Sequence, residues 1–172
     1  MASRDINLLV PELKEKAQTL VERAPFEVLI YCTARAAEEQ AKLWRQSRSK
    51  KVIQEKIETL IRFGHTTLAQ ILEKVGPQSG PPVTHAGPGE SFHQYGLAFD
   101  GVPIINGKAA WEIHKYKKEW TELGKIALSL GLNWGGNWPK WADYPHFQLP
   151  MTGNPLKQNL PGCIFLESDL TK

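Results

Sequence analysis

Cysteine is scarce in this chain, which has two among its 172 residues, Cys32 and Cys163. Two cysteines so far apart match neither a zinc ribbon nor the disulfide framework of a small secreted domain. Cys32 ends an apolar run, so we expect a buried thiol, whereas Cys163 lies near the C-terminus. A disulfide between them would require the C-terminal segment to pack over that run, and the sequence leaves this pairing open.

Long apolar runs are missing as well. No stretch reaches the roughly 18 apolar residues of a membrane-spanning helix, so we expect no membrane insertion. Residues 1–5 lack the apolar core and small-residue cleavage site of a signal peptide, which predicts a protein made in the cytoplasm. The chain has no internal repeats and no low-complexity tract. Its length suits one domain, residues 1–172, which we expect to be a monomer.

A strong excess of one charge is also absent. Twenty-one Lys and Arg residues face 18 Asp and Glu residues, a net charge of +3. The basic residues in 45–51 are typical of a solvated helix face, so the sequence predicts no nucleic-acid partner. A mild positive charge is compatible with an anionic polymer such as cell wall, although it is poor evidence for one.

Two separate segments carry imidazoles and carboxylates beside apolar residues. The first, residues 91–100, contains His93 and Asp100; the second, residues 143–147, contains Asp143 and His146. Nitrogen and oxygen ligands of this kind suit Zn²⁺, and a catalytic zinc site keeps one position open for water. Each segment also contains a short strand signal. If the two strands pair, His93, Asp100 and His146 can meet at one end of a small sheet.

The residues before His146 restrict where Asp143 can lie. Proline fixes its own φ and biases the preceding residue toward extended conformations, so Tyr144 and Pro145 favour a turn followed by a strand. Asp143 then lies across a short turn from His146. This position suits the general base of a metal-assisted hydrolysis.

The two segments together resemble the D-Ala-D-Ala carboxypeptidase/dipeptidase and L-alanyl-D-glutamate endopeptidase family of zinc peptidases, the VanY-like relatives of the lysostaphin and hedgehog zinc domains. Within that family they resemble the L-alanyl-D-glutamate peptidases of phage endolysins and of some bacterial cell-wall hydrolases. The likeness runs from about residue 26 to 149 and weakens between 48 and 82. The residues that carry it are Ser91, His93, Gly96, Ala98 and Asp100 in the first segment and Asp143 and His146 in the second.

The resemblance implies roles for several residues. His93, Asp100 and His146 would bind Zn²⁺, and Asp143 would be the catalytic base. Arg35 would bind substrate or stabilise the oxyanion. Other residues would contact substrate: Ser91, for which a turn or cap hydroxyl is the alternative, and Trp138 or Trp141, for which burial in the core is the alternative. The matching Gln40 we interpret as structural.

The predicted fold is α+β, a small antiparallel sheet with helices packed on one side, as in hedgehog and D-Ala-D-Ala peptidases. Apolar periodicity predicts helices over residues 7–23, 33–48, 52–61, 68–75 and 118–130. The helices within about 49–76 are interpreted as an insertion, and residues 150–172 as a C-terminal tail. Gly96 is expected where the backbone approaches closely or φ is positive. Asn106 and Gly107 indicate a hairpin turn.

The resemblance implies a phage endolysin that hydrolyses the L-Ala–D-Glu bond of the peptidoglycan stem peptide. Such a protein would reach the cell wall after release through a holin, cause host cell lysis and act as an antimicrobial. A D-Ala-D-Ala carboxypeptidase or dipeptidase of the same fold is one alternative. A non-catalytic zinc-containing binding module is the other, since hedgehog-like domains use this scaffold for binding.

Overall fold

The computed structural model describes residues 2–151, 153–158 and 160–164. The chain forms two compact units. The sheet unit comprises residues 3–34 and 96–151; the helical unit comprises Arg35–Tyr95, Ala2 and the described part of Gly153–Lys172. Among the described residues, no helix combines the length and the apolar character needed to cross a membrane.

Three consecutive helices separate the first strand of the chain from the other four in the described residues. In chain order the elements are α1 (Pro11–Arg23), β1 (Glu27–Cys32), α2 (Ala37–Arg45), α3 (Lys50–Arg62), α4 (Thr66–Lys74), β2 (Ala98–Ile105), β3 (Lys108–Ala109), α5 (Lys117–Ser129), β4 (Asn133–Trp134) and β5 (His146–Gln148). Short 3₁₀ segments cover Ile6–Leu8, Phe92–Tyr95, Gly135–Asn137 and Pro155–Gln158.

The sheet unit is built on one antiparallel sheet with the strand order β1-β2-β5-β4, and β3 also pairs with β2. The turn between β2 and β3 is the predicted hairpin: Asn106 and Gly107 both have positive φ, 52° and 73°, as a type I′ turn requires. Opposite the other end of β2, the register of β1 shifts between Ile30 and Cys32, which places Cys32 across from Asp100.

One apolar core joins the sheet to α1 and α5, which contact each other. Leu13, Ala17 and Leu20 recur at helical spacing along α1 and are fully buried. From the sheet, Phe99 and Phe147 stack with ring centroids 5.2 Å apart. The observed antiparallel sheet, with helices covering its apolar side chains, confirms the predicted fold class.

Gly96, which begins the sheet unit's second stretch of chain, has a φ of +66°. A Cβ at this position would overlap the carbonyl oxygen of Leu8, and the Gly96 carbonyl accepts a hydrogen bond from Val10 N–H at 3.0 Å. Both expectations for this glycine, close approach and positive φ, are therefore confirmed.

The helical unit has a core of its own. It is formed by α2, α3 and α4. Its buried members are Ala37, Ala41, Trp44, Ile53, Ile57, Leu60, Leu68, Ala69, Ile71 and Leu72. Leu156 and Cys163, from the described part of the C-terminal segment, pack against this core. The backbone of Ile164 extends the contact, since it accepts from Ala37 N–H at 2.7 Å and donates to Gln94 O at 2.8 Å.

Two helices differ in extent from the predictions. A helix was predicted over residues 33–48, but α2 is shorter and spans Ala37–Arg45. The backbone stays extended through Ala36, and the Thr33 N–H donates to Ser3 O at 2.7 Å, outside any helix. Likewise α4 begins at Thr66, with His65 at the N-cap and no side-chain capping bond, two residues earlier than predicted.

Candidate metal centre and active site

The pairing of β2 with β5 places Asp100 directly opposite His146. Both residues are 7% exposed, and His146 Nδ1 lies 3.2 Å from Asp100 Oδ1. The pairing on which the predicted site depends is therefore observed, and it juxtaposes two of the three predicted metal ligands. A buried carboxylate normally requires a charged or hydrogen-bonding partner, which His146 supplies here.

Gln148 occupies the other side of the His146 ring. Its Oε1 lies 3.0 Å from His146 Nε2, and its own Nε2 donates to the carbonyl of Met151 at 3.4 Å. Sequence reasoning missed Gln148. The available signal was the two-residue period of a strand, which puts residues 146 and 148 on the same face of β5.

The electron pairs around His146 fit a bound cation. If the neutral ring donates its Nε2–H to Gln148, the lone pair of Nδ1 faces the Asp100 carboxylate. Nδ1 and the carboxylate oxygen are then both electron-pair donors. A cation shared by the two, a proton or a metal ion, makes this contact favourable. Two ligand atoms bound tetrahedrally to zinc at about 2.1 Å lie about 3.4 Å apart, close to the observed 3.2 Å.

Cys32 also lies beside Asp100. It is 2% exposed, and its Sγ is within 4.8 Å of an Asp100 carboxylate oxygen. Burial of this thiol was predicted, but its nearness to Asp100 was not, because it depends on the shifted register at the end of β1. Neither Cys32 nor Cys163 forms a disulfide in the described part of the chain.

Asp143 lies one turn before His146, as predicted. His146 N–H donates to the Asp143 carbonyl at 3.1 Å, and Asp143 N–H donates to the Gly135 carbonyl at 2.9 Å. A Cβ on Gly135 would overlap the Asp143 carbonyl oxygen and come within 3.1 Å of the His146 Cβ. Glycine at 135 therefore allows the turn from Asp143 to His146 to approach this backbone closely.

The aromatic segment before Asp143 divides into buried and exposed side chains. Trp134 is buried and its Nε1 donates to Tyr144 O at 2.8 Å. Trp138 is 38% exposed, and its ring centroid lies 5.2 Å from that of His146. Trp141 is 47% exposed. Trp138 thus combines exposure with contact to a predicted ligand, which favours a substrate-contacting role over a place in the core.

His93 and Ser91 belong to the helical unit. His93 lies in the 3₁₀ segment Phe92–Tyr95 and is 2% exposed; Ser91 is 8% exposed. The Gln94 side chain fixes the loop that precedes this segment. Its Oε1 accepts hydrogen bonds from Gly89 N–H at 2.9 Å and from Ser91 N–H at 3.3 Å. Burial raises the pKa of the Tyr95 phenol, whose hydroxyl donates to Gly89 O at 2.9 Å.

Arg35 lies beside this segment in the helical unit. Its backbone N–H donates to the carbonyl of His93 at 3.2 Å, and its Nη1 donates to Gln40 Oε1 at 3.0 Å. Gln40 is fully buried and donates in turn to Ala86 O at 2.7 Å. The arrangement supports the structural role predicted for Gln40, which orients the Arg35 guanidinium.

Comparison with known proteins agrees with the resemblance carried by these residues. A family model described as D-alanyl-D-alanine carboxypeptidase matches residues 84–149. The peptidoglycan L-alanyl-D-glutamate endopeptidase CwlK of Bacillus subtilis (strain 168) is 31% identical over 150 residues, which cover 82% of this chain and 73% of CwlK. The chain belongs to the D-alanyl-D-alanine carboxypeptidase family of zinc peptidases. It is accordingly a metallopeptidase, as the sequence predicted.

Two solved structures are similar to this chain. The Serratia marcescens L-Ala D-Glu endopeptidase ChiX is 18% identical, with a TM-score of 0.46, over 87% of this chain and 88% of ChiX. VanYB in complex with D-alanine-D-alanine is 16% identical, with a TM-score of 0.48, over 87% of this chain and 74% of VanYB.

The stretch matched by the family model contains most of the predicted site. Ser91, His93, Asp100, Trp138, Asp143 and His146 all lie within residues 84–149, and so does Gln148. Arg35 lies outside this stretch, so its assignment depends on the Arg35–Gln40 spacing and on its contact with His93.

Proposed function

We propose that this metallopeptidase hydrolyses the L-Ala–D-Glu bond of the peptidoglycan stem peptide, with Zn²⁺ held by His93, Asp100 and His146. The observation that carries the proposal is the buried Asp100–His146 pair, 3.2 Å apart, with Asp143 one turn away. Nitrogen and oxygen donors suit zinc, and three protein ligands leave the open position of a catalytic site. The choice of bond rests on the 31% identity to CwlK, whose name specifies it.

Zinc, when bound, would supply Lewis acidity at the scissile carbonyl and lower the pKa of a water molecule. Asp143 accepts the proton of the attacking water and passes it to the leaving amine of D-Glu, as a general base and then a general acid. Its partial exposure leaves the carboxylate accessible to water and substrate. Arg35 donates to the carbonyl oxygen as negative charge develops there.

Two further residues bind the stem peptide in this proposal. Trp138 presents an exposed indole face beside His146 and covers the apolar side of the substrate. Ser91 contributes a hydroxyl for the substrate backbone. Both contacts hold the scissile carbonyl in position for attack by water, which lowers the entropic cost of that step.

The biological role extends from this activity. Given the resemblance to phage endolysin peptidases, we assign the protein to host cell lysis, with bacterial peptidoglycan as its partner. In that role it acts on the wall as a monomer after release through a holin, and it would be antibacterial when added from outside. Resemblance supports this part of the proposal.

A second candidate activity has a specific observation in its favour. The family model that matches residues 84–149 is described as a D-alanyl-D-alanine carboxypeptidase. Such an enzyme would use the same ligands and the same base. It would differ in the bond it cleaves, since it releases the terminal D-Ala of the stem.

Purified murein distinguishes the two activities. After digestion with zinc-loaded protein, mass spectrometry should find stem peptides with new D-Glu amino termini and no free D-Ala. Release of D-Ala without new D-Glu termini would replace the endopeptidase proposal with the carboxypeptidase. The same preparation should reduce the turbidity of bacterial cells with permeabilised outer membranes, and protein treated with a chelator serves as the control.

A further inference from the structure

We propose that Gln148 is a positioning residue for the zinc site, because its amide selects the ring nitrogen with which His146 binds the metal. The inference rests on the proposed function, in which His146 is a ligand. Gln148 would hold the proton on Nε2, so that Nδ1, facing Asp100, is the nitrogen that coordinates.

The orientation of the Gln148 amide follows from its second contact. The carbonyl of Met151 can only accept hydrogen bonds, so the NH₂ end of the amide faces it, at 3.4 Å. The oxygen end must then face the His146 ring, where Oε1 lies 3.0 Å from Nε2. An amide oxygen only accepts, and His146 Nε2 must therefore carry the proton.

The position of Gln148 makes this selection strict. Gln148 is 6% exposed and lies in β5, where its backbone is opposite Ala98 of β2 on one side and Asn133 of β4 on the other. Both the strand and the buried amide are thus fixed, and water has little access to replace a lost partner. A ring with the opposite tautomer would place its lone pair against the Gln148 oxygen, leaving two buried acceptors in contact.

The Gln148 contact affects metal binding through the orientation of the His146 ring and the basicity of its free nitrogen. A metal-binding histidine whose other ring nitrogen donates to a fixed acceptor has a single tautomer and ring orientation, and its free nitrogen is a better ligand. Loss of such a partner commonly weakens metal affinity by about 10–100-fold. Gln148 never touches the substrate in this scheme, so it acts through His146.

Zinc affinity, measured by competition with a chromophoric chelator, tests the inference without any activity assay. Gln148→Leu should weaken zinc binding by about 10–100-fold. Gln148→Glu keeps an acceptor for Nε2–H but loses the donor to Met151 O, and it should bind zinc more tightly than Gln148→Leu does. Gln54→Leu, on the exposed face of α3, is the matched control and should bind zinc as wild type does.

Nitrogen NMR of the His146 ring in zinc-loaded protein provides a second measurement. Its result would not change if Gln148 only stabilised the fold. In wild type the metal should be on His146 Nδ1, with a slowly exchanging proton on Nε2; that proton should exchange faster in Gln148→Leu. Metal found on Nε2 would overturn the inference. So would equal zinc affinity in wild type and Gln148→Leu, or a loss in Gln148→Glu as large as in Gln148→Leu.

These failures are distinguishable from failure of the proposed function. If wild type binds zinc and Gln148→Leu binds it equally well, the zinc peptidase stands and only the role of Gln148 is wrong. If wild type binds no zinc, the ligand assignment of His146 is wrong, and the inference falls with it. Circular dichroism checks that each variant keeps its fold.

Discussion

At the scale of single residues, Asp143 distinguishes a catalyst from a zinc-containing binding module. Asp143→Asn keeps the size of the side chain and both backbone hydrogen bonds of the turn, to Gly135 and His146. It removes the proton acceptor, and loss of a general base commonly costs about 10²–10⁴-fold in rate. We expect that loss in murein hydrolysis, with zinc content unchanged by elemental analysis.

The control for Asp143 is Glu122→Gln on α5, where a partly exposed carboxylate with a 3.8 Å ion pair to Lys125 is neutralised in the same unit. This variant should hydrolyse murein at the wild-type rate. Full activity in Asp143→Asn would favour the binding module. Loss of zinc together with activity would instead make Asp143 a ligand, which contradicts the assignment of Asp100 as the only carboxylate bound to the metal.

At the scale of secondary-structure elements, a partly buried ion pair connects α3 to the loop that precedes Ser91. Lys56 Nζ lies 2.6 Å from Glu90 Oε1, and the two side chains are 18% and 16% exposed. Glu90 also accepts from Gly87 N–H at 2.7 Å and from the Asn154 amide at 3.0 Å. One carboxylate therefore joins a helix, a loop and the C-terminal segment within the helical unit.

Acid should weaken this junction. Burial acts to raise the pKa of Glu90, but Lys56, Gly87 and Asn154 outweigh burial, and the pKa lies below the usual 4.5. A carboxyl with a depressed pKa in the folded protein stabilises the fold above its unfolded pKa, and the contribution disappears as pH falls through the folded value. Wild type should therefore exceed Glu90→Gln in free energy of unfolding at neutral pH, with the difference shrinking below about pH 4.5.

Urea unfolding in the presence of a chelator measures that difference without interference from zinc. Glu55→Gln is the matched variant, since its exposed carboxylate on α3 makes a long 3.9 Å pair with Lys51. It should follow wild type at every pH. A Glu90 difference that grows on acidification would show that the net shift of this pKa has the opposite sign.

The elements that the sequence predicted best are those with local signals. Apolar spacing identified α1 and α5, and short apolar runs identified the strands β2 and β5 beside the potential ligands Asp100 and His146. The Asn106–Gly107 turn requires positive φ at both positions and so identified the β2–β3 hairpin. In these cases the residue types at a few neighbouring positions determine the local backbone geometry, so the sequence pattern alone predicts it.

The contacts that the sequence did not predict depend on register and on long-range packing. Cys32 faces Asp100 because the pairing of β1 shifts by one residue near its end, and no local signal marks that shift. Gln148 meets the His146 ring only once β5 is fixed between β2 and β4. Lys56 and Glu90 are 34 residues apart in the chain, so their pairing required the packed structure.

At the scale of the whole molecule, the proposed metal should stabilise the folded state, because its ligands come from segments that are distant in sequence. His93, Asp100 and His146 cannot form one site in an unfolded chain, so zinc binds the folded state preferentially. A ligand present at about 1,000 times its Kd stabilises the folded state by about 4 kcal/mol. For a domain of this size, a change of that magnitude raises Tm by about 10 °C.

Chelation should therefore lower Tm and abolish murein hydrolysis together, and added Zn²⁺ should restore both. His93→Ala should remove the zinc-dependent part of Tm and the activity, because two remaining ligands hold zinc weakly. His114→Ala, an exposed histidine outside the site, should keep the full zinc response. Activity that persists when elemental analysis finds no metal would contradict the mechanism, since Asp143 alone cannot supply the Lewis acidity that an amide carbonyl requires.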